Sequence, residues 1–350
     1  MAQKGNENMT FEICMPTYKS AEKIVAPFNS LLKQTYNDFY ITIFDNTPIE
    51  CEKEIIKMKE ITAEYREKGL KINFIKNEIN LGYTGNIKKI FTSLSADICM
   101  LLADDDVLAR DAIEKFVQIF EEFPNVHVIG RPYYWFLKDM YKPVRLQGPL
   151  YDKAIEVTFD SDFDKLYSLI SSTGQVSALA FRSESIHAAS IPIPDDVFTA
   201  HIWPIMDILK HHSAVFLNEP MLAVSISTSQ CHSGIYANSP VSQYYRMYSY
   251  FLSDPKHKKL KQQLMKKMTR GNLVGFAQIK NYGTLKQTLR EIYLYAKYYK
   301  RNLLDPVYYI FAFGVLIIPR CILIPLIDFY KNKILAKKIQ RSIKIDYSRF

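Results

Sequence analysis

Residues 11–46 read FEICMPTYKSAEKIVAPFNSLLKQTYNDFYITIFDN, and the spacing of apolar residues in this stretch decides the fold. Two short apolar runs of strand length, Phe11 to Met15 and Phe39 to Phe44, bracket a segment from Ser20 to Gln34 that places Ile24, Phe28, Leu31 and Leu32 on one helical face. Lys71 to Ile75 and Ile98 to Leu102 repeat the strand pattern, with a helix starting near Thr84 and Ser93 late in it. Alternating strand and helix predicts a parallel sheet, and such sheets bind ligands outside the carboxyl ends of their strands. Polar residues collect there: Pro16-Thr17-Tyr18 after the first strand, Asp45-Asn46 after the second, Asn77 to Asn86 after the third, and Asp104-Asp105-Asp106 after the fourth.

Farther on, the alternation weakens between Arg131 and Asp160. Phe163 to Ile170 then reads as a helix, Val176 to Phe181 as a strand, Asp196 to Lys210 as a helix and Ala214 to Leu217 as a strand. Beyond Tyr244 the chain becomes basic, tyrosine-rich and helical. Charge divides it sharply: the chain of 350 residues carries +9, but residues 251–350 hold 21 Lys and Arg against 5 Asp and Glu, leaving 24 against 31 for the rest. A body of −7 thus carries a tail of +16, which calls for an acidic partner.

Composition sets further bounds. A chain 48% hydrophobic, with 12 Gly and 16 Pro, is neither collagen-like nor disordered. Cys14, Cys51, Cys99, Cys231 and Cys321 lie far apart without a CxxC, which excludes a zinc cluster or a disulfide framework and fits a reducing compartment. The opening MAQKGNENMT lacks the apolar run of a signal peptide, so the body is expected to stay where it is made. Residues 307–327, VYYIFAFGVLIIPRCILIPLI, are apolar except for Arg320 and long enough to span a bilayer. Pro319, Pro325 and basic flanks on both sides favour a broken, re-entrant or interfacial helix pair on the cytoplasmic face of a membrane, held to anionic lipid.

Three adjacent carboxylates after a buried strand repel one another, and a hard divalent cation shared with a substrate diphosphate would offset that repulsion. Asp45 ends the second strand as a carboxylate able to select a base with a hydrogen-bond donor at its edge, and Gly82 and Gly85 permit close backbone approach.

Together with NEINLGYTGNIKKIF and ADICMLLADDDVL, the opening stretch resembles the nucleotide-binding half of a family 2, GT-A-type, inverting glycosyltransferase of bacterial surface-polysaccharide type, over roughly residues 11–128. The resemblance implies an α/β fold: a Rossmann-like mixed sheet flanked by helices over residues 1–240, with donor binding in 1–130 and acceptor binding in 131–240. A basic, helical, membrane-associated region would follow over 241–350. It implies that Pro16, Thr17 and Tyr18 line a base and ribose pocket, that Asp45 accepts from the imide of uracil or thymine, and that Asn80, Gly82 and Asn86 lie near the nucleotide. Asp104 and Asp106 would be the metal-binding pair, with Asp105 beside the nucleotide and Mn²⁺ or Mg²⁺ as cofactor. The implied partners are a UDP- or dTDP-sugar donor and a glycan or lipid-linked glycan acceptor, with no nucleic acid.

The acceptor half departs from the family pattern, because no Glu-Asp pair stands where the general base is expected, near residues 199–201. His201 adjoins that position, and an imidazole can remove a hydroxyl proton at neutral pH. Asp196 is the closest rival, followed by Asp195 and Asp207. Trp135 and Trp203 are candidates to stack on sugar faces, and Thr173-Gly174-Gln175 to shape a pocket. His211-His212 lacks the spacing of a helical metal pair, and Ser177 lacks a GxSxG elbow. Three other readings remain at this stage. A sugar-nucleotide nucleotidyltransferase would need a Gly-rich phosphate loop that ICMPTYKSAEK lacks. A nucleic-acid-binding protein would use the basic tail, and a non-catalytic membrane scaffold would tolerate the missing acidic pair.

Overall fold

The computed structural model describes residues 9–188, 192–195, 197–226, 233–342 and 345–350. The chain divides into two compact units. The first takes Met1–Asp195, Ala200–Thr228 and Ile339–Phe350, and the second Asp196–Thr199 and Ser229–Lys338. Relative to the boundary expected near residue 240, the end of the chain thus returns to the first unit. The cause is local: Arg349 is buried, its Nη2 donates to Asp111 Oδ1 at 2.7 Å and its Nη1 to Glu219 Oε2 at 2.7 Å. The Phe350 and Tyr347 rings pack edge-on to Tyr134, with centroids 5.4 and 6.2 Å away.

In the first unit, β1 (Phe11–Thr17), α1 (Val25–Leu32), β2 (Phe39–Asp45), α2 (Glu52–Glu67), β3 (Ile72–Lys76), α3 (Gly82–Thr92) and β4 (Ile98–Leu101) form the expected alternating series. There follow β5 (Val107–Leu108), α4 (Ala112–Glu122), β6 (Val126–Gly130), β7 (Tyr133–Phe136), β8 (Pro143–Gln147), β9 (Ile155–Val157) and α5 (Phe163–Ser172). The unit is completed by β10 (Leu179–Arg182), α6 (Ser183–Ala188), α7 (Ile202–Ile208), β11 (Ser213–Phe216) and β12 (Leu222–Ser225). Eight strands make one sheet in the order β3-β2-β1-β4-β10-β6-β11-β9, and the other four a second sheet, β5-β12-β7-β8.

The large sheet is parallel from β3 to β4. It then turns mixed, because β10 runs antiparallel to both β4 and β6. Its central strands are continuous apolar runs because both faces are covered: Ile13, Cys14, Met15, Ile98, Met100 and Leu101 are all fully buried. Of the predicted face of α1, Ile24, Phe28 and Leu31 are buried, whereas Leu32 is exposed. The helix expected over residues 196–210 shrinks to Ile202–Ile208.

The second unit is helical: α8 (Pro240–Phe251), α9 (Lys258–Thr269), α10 (Gly275–Tyr282), α11 (Leu285–Tyr298), α12 (Pro306–Ile317) and α13 (Arg320–Phe329), with α14 (Ala336–Ser342) leading out of it. Local chemistry sets the helix starts. Ser239 and Pro240 open α8, a Thr284–Gln287 capping box opens α11, and Asp305 with Pro306 opens α12.

Candidate active site

The strand register builds the site. Thr17 pairs with Asp45 across β1–β2, and Asp45 with Lys76 across β2–β3, so three polar side chains stand abreast at the carboxyl edge. Asp45 is buried, and its Oδ1 accepts from Thr47 Oγ1 at 2.6 Å, Thr47 N at 3.1 Å and Thr17 Oγ1 at 3.3 Å. Its Oδ2 has no hydrogen-bond partner among the described residues, with Lys76 Nζ 3.9 Å away. A buried carboxylate oxygen without a donor is costly, and a ligand N–H would relieve it. The turn after β1 is held by Lys19, whose φ of +52° is left-handed and whose amide donates to Thr47 Oγ1 at 2.9 Å.

Three asparagines hold the neighbouring loop. Asn46 Nδ2 donates to Asn80 Oδ1 at 2.7 Å and to Gly82 O at 3.2 Å, while its Oδ1 accepts from Leu81 N at 2.8 Å and Asn77 Nδ2 at 3.1 Å. Asn86 is buried, donating to Phe44 O at 3.0 Å and accepting from Asn77 Nδ2 at 2.9 Å, so it ties α3 to the end of β2. Gly82 opens α3 at φ +66°, a conformation that L side chains disfavour. Asn46 and Asn77 thus shape the loop that carries Asn80 and Gly82. Their only signal in the sequence was their place next to the ends of β2 and β3.

Across the edge stands the aspartate run. Asp104 Oδ2 accepts from Ser20 Oγ and from Tyr18 N at 3.4 Å, which joins the β1 and β4 ends. Burial, followed by the charge of Asp105, pushes the Asp104 carboxyl up to about 6, with Ser20 and Lys23 acting in the opposite direction. Asp106 is fully buried: Oδ2 accepts from Ser177 Oγ at 2.5 Å and Gln175 Nε2 at 2.6 Å, and Oδ1 from Ser225 N at 3.3 Å. Burial first, and Asp105 second, also raise its pKa.

Asp106 was expected to share a metal with Asp104, but the structure turns its carboxylate into the protein, where three protein donors already use it. Asp105, half-buried, is the more accessible neighbour. No group of three or more His, Cys, Asp or Glu side chains among the described residues is arranged to hold an ion by itself. Asp104 and Asp105, whose crowded charge a hard cation would offset, are the residues that would hold one together with a substrate diphosphate.

Behind Asp106 lies a residue that sequence reasoning missed. Arg131 is fully buried at the end of β6, donating to Ser172 O and Gln175 O at 2.9 Å each and to Ser177 O. It fixes the 172–177 loop, and burial lowers its pKa to about 10. A charged residue right after the apolar strand VHVIG was the available clue, since buried arginines are paired.

The same loop meets His201, which is buried. Its Nε2 lies 2.7 Å from Thr173 O, and a carbonyl only accepts, so the proton sits on Nε2. Nδ1 then accepts from the Tyr83 hydroxyl at 2.6 Å. Burial lowers the imidazole pKa to about 4, leaving a neutral ring with both nitrogens engaged. In this arrangement His201 positions Tyr83, which is 40% exposed, and neither nitrogen is open to take an acceptor proton directly.

Of its rivals, Asp195 is exposed and pairs with Lys88 at 2.7 Å, Asp207 pairs with Lys210 at 3.1 Å, and Asp196 lies outside the described residues. Trp203 is a buried side chain of α7, and Trp135 stacks under Arg145 at 4.3 Å in the small sheet. Pro16 and Tyr18 are half-buried at the β1 end.

This architecture, a mixed Rossmann-like sheet flanked by helices with its polar edge beyond β1, β2 and β4, is the GT-A type of α/β fold. S. aureus TarS 1–349, solved in complex with UDP-GlcNAc, superposes with a TM-score of 0.60 at 15% identity, covering 95% of this chain and 92% of that one. The mannosyltransferase PcManGT from Pyrobaculum calidifontis, solved with GDP-Man and Mn²⁺, superposes with a TM-score of 0.51 at 13% identity, covering 88% and 87%.

Residues 12–176 match the family profile "Glycosyl transferase family 2". The amylovoran biosynthesis glycosyltransferase AmsB of Erwinia amylovora is 24% identical over 115 residues, 33% of this chain and 37% of that protein. The abequosyltransferase RfbV of Salmonella typhimurium is 25% identical over 125 residues, 35% and 36% of the two chains. The similarity thus spans little more than a third of these relatives.

Proposed function

We propose that this protein transfers a sugar from a nucleotide-sugar donor, UDP- or dTDP-linked, to a hydroxyl of a glycan or lipid-linked glycan during polysaccharide assembly, with inversion. One observation carries the reading: buried Asp45, whose Oδ2 accepts no hydrogen bond among the described residues and has only Lys76 Nζ at 3.9 Å, stands at the sheet edge that also holds Asp104 and Asp105. A uracil or thymine imide N–H would satisfy that oxygen, whereas an adenine or cytosine edge offers no ring N–H there. The likeness to a structure solved with UDP-GlcNAc, and the polysaccharide enzymes among the relatives, support the same class.

In this reading Asp104 and Asp105 would hold Mg²⁺ or Mn²⁺ beside the donor's diphosphate, a cation that would supply neutralisation of charge on the leaving group. The chain's own residues orient the donor. Thr17 and Thr47 hold Asp45 in place, and Asn46 holds the Asn80–Gly82 loop. Tyr83, aligned by His201, is an exposed polar side chain in the first turn of α3.

The test is a calorimetric titration of the full chain with UDP, dTDP, ADP and CDP, with and without Mn²⁺. The expected result is metal-dependent binding of the uracil or thymine nucleotide, with at least about tenfold discrimination against ADP and CDP. Equal binding of ADP or CDP, or none of any nucleotide, would refute the donor assignment.

A further inference from the structure

Within the second unit, residues 307–327 do not form one long helix. α12 ends at Ile317, Ile318 adopts an extended conformation (ψ 121°) before Pro319, and α13 begins at Arg320. No helix among the described residues is long and apolar enough to cross a membrane. α12 is 12 residues and α13 is 10, or roughly 18 and 15 Å against a hydrocarbon core of about 30 Å.

Both helices nevertheless present apolar surface to solvent. α12 buries Tyr308, Ala312 and Val315, while Ile310, Phe313 and Ile317, on another stripe, are 67, 57 and 76% exposed. In α13, Ile322, Leu326 and Phe329 are each more than half exposed. A helix apolar on every side is normally buried in protein or in lipid.

The break between these helices is chemically finished. Lys280 reaches from α10 to donate to the carbonyls of Val315, Leu316 (3.5 Å) and Ile318 (2.5 Å), which have lost their helical partners. Arg320, the one charge of the run, donates to Gly283 O. Asp305 accepts from Val307 N at 3.0 Å at the other end. Water could satisfy these groups on an ordinary exposed surface, but lipid cannot, and protein donors and acceptors have taken that role. Exposed cations flank the pair: Lys297, Lys300 and Arg301 before it, and Lys333 and Lys337 after it.

From the exposed apolar stripes, the satisfied break and the cationic flanks we infer that α12 and α13 insert side by side in sequence into one leaflet of an anionic bilayer. They lie in its interface without crossing it, with the flanking lysines and arginines on lipid headgroups. The inference stands apart from the donor assignment, because its readout is lipid binding.

The test sediments the full chain with vesicles of phosphatidylcholine containing about 30% phosphatidylglycerol, and with vesicles of phosphatidylcholine alone. The expected result is binding at least about tenfold tighter on the anionic vesicles. The triple variant Ile310→Asp, Phe313→Asp, Ile317→Asp should lose at least about tenfold on both. Lys333→Glu with Lys337→Glu should abolish only the anionic preference. Should the aspartate variant melt earlier than the parent, the Ser triple variant at the same positions carries the same expectation. Equal vesicle binding by parent and triple variant, or no binding by the parent, overturns the inference. So does sedimentation velocity showing a parent dimer that the triple variant dissociates, which would assign the face to a second copy.

Discussion

The polar edge of the first unit and the apolar helix pair of the second are finished to opposite standards. At the edge most polar atoms have an internal partner, and Asp45 Oδ2, which accepts no hydrogen bond among the described residues, is the atom that the proposed donor base would satisfy. At the helix pair the backbone polar groups of the break are satisfied, yet large side chains such as Ile310 and Ile317 face outward. If the edge binds the donor and the helix pair binds lipid, as proposed, each should respond to a different class of substitution.

The largest effect is expected at the edge. Asp105→Ala should lower metal-dependent transfer by roughly 10²–10³-fold in kcat with little change in melting temperature, since electrostatic stabilisation of the leaving group is lost. Steady-state kinetics with a saturating donor checks this, and near-normal turnover would separate the aspartate run from the chemistry.

Next comes Arg131→Leu, which leaves the carbonyls of Ser172, Gln175 and Ser177 without their donor. Leaving a buried carbonyl without its donor costs about 1–3 kcal/mol, so the three together should give a loss at or above the upper end of that range. Urea unfolding of the parent and variant measures it, and a change under about 1 kcal/mol would show that the loop holds itself.

A smaller effect concerns Asp45→Asn. The amide can offer a donor where the ligand N–H needs an acceptor, so UDP affinity should fall by about 1.5–3 kcal/mol, an order of magnitude or more. The weaker ADP binding should stay unchanged if the base is read as proposed.

His201 contributes one part of the pH dependence. Its folded pKa, about 4, lies below its ordinary value because burial disfavours the imidazolium. Between those two pKa values the unfolded chain binds the extra proton, so the His201 contribution to stability rises with pH through this window and is lost as pH drops below about 6.5; burial of His127 acts in the same sense and the raised Asp104 carboxyl in the opposite one. His201→Phe should flatten that part of the stability profile. It should also reduce kcat without moving an activity pKa between 5 and 8, the signature of a positioning residue. An activity limb that titrates near 6.5 and vanishes in the variant would restore the imidazole as base.

The smallest change is expected for Ile317→Ser on the exposed helix face. At 76% exposure it should alter stability by no more than about 0.5 kcal/mol. A larger loss by thermal melting would mean that the face supports the fold and is not a docking surface.

The alternating series from β1 to β4 was legible because each element is local: a strand-length apolar run or a 3.6-residue stripe announces itself within a few residues. The acceptor half was harder to read. The helix expected over residues 196–210 shortened to α7, and the expected strand from Val176 became β10, which starts at Leu179 and runs antiparallel. Strand direction depends on what the segment meets in the sheet, and no local pattern encodes that. Among the candidate residues, Thr17 bonds to Asp45 and Tyr18 to Asp104, neighbours at the strand ends as the pattern of strands places them. Ser20 and Arg131 went unnoticed because a serine in a turn and an arginine after a strand are ordinary until their partners, 84 and 41 residues away, are known.

The sequence by itself determined the parallel start of the sheet, the polar edge where it ends, the glycosyltransferase resemblance, and the break in the apolar run at Pro319. Tertiary structure alone decided which aspartate turns inward, which histidine nitrogen carries its proton, and where the chain's last residues dock. Those outcomes depend on desolvation and on donors brought close by folding, and neither is a property of residues adjacent in the chain.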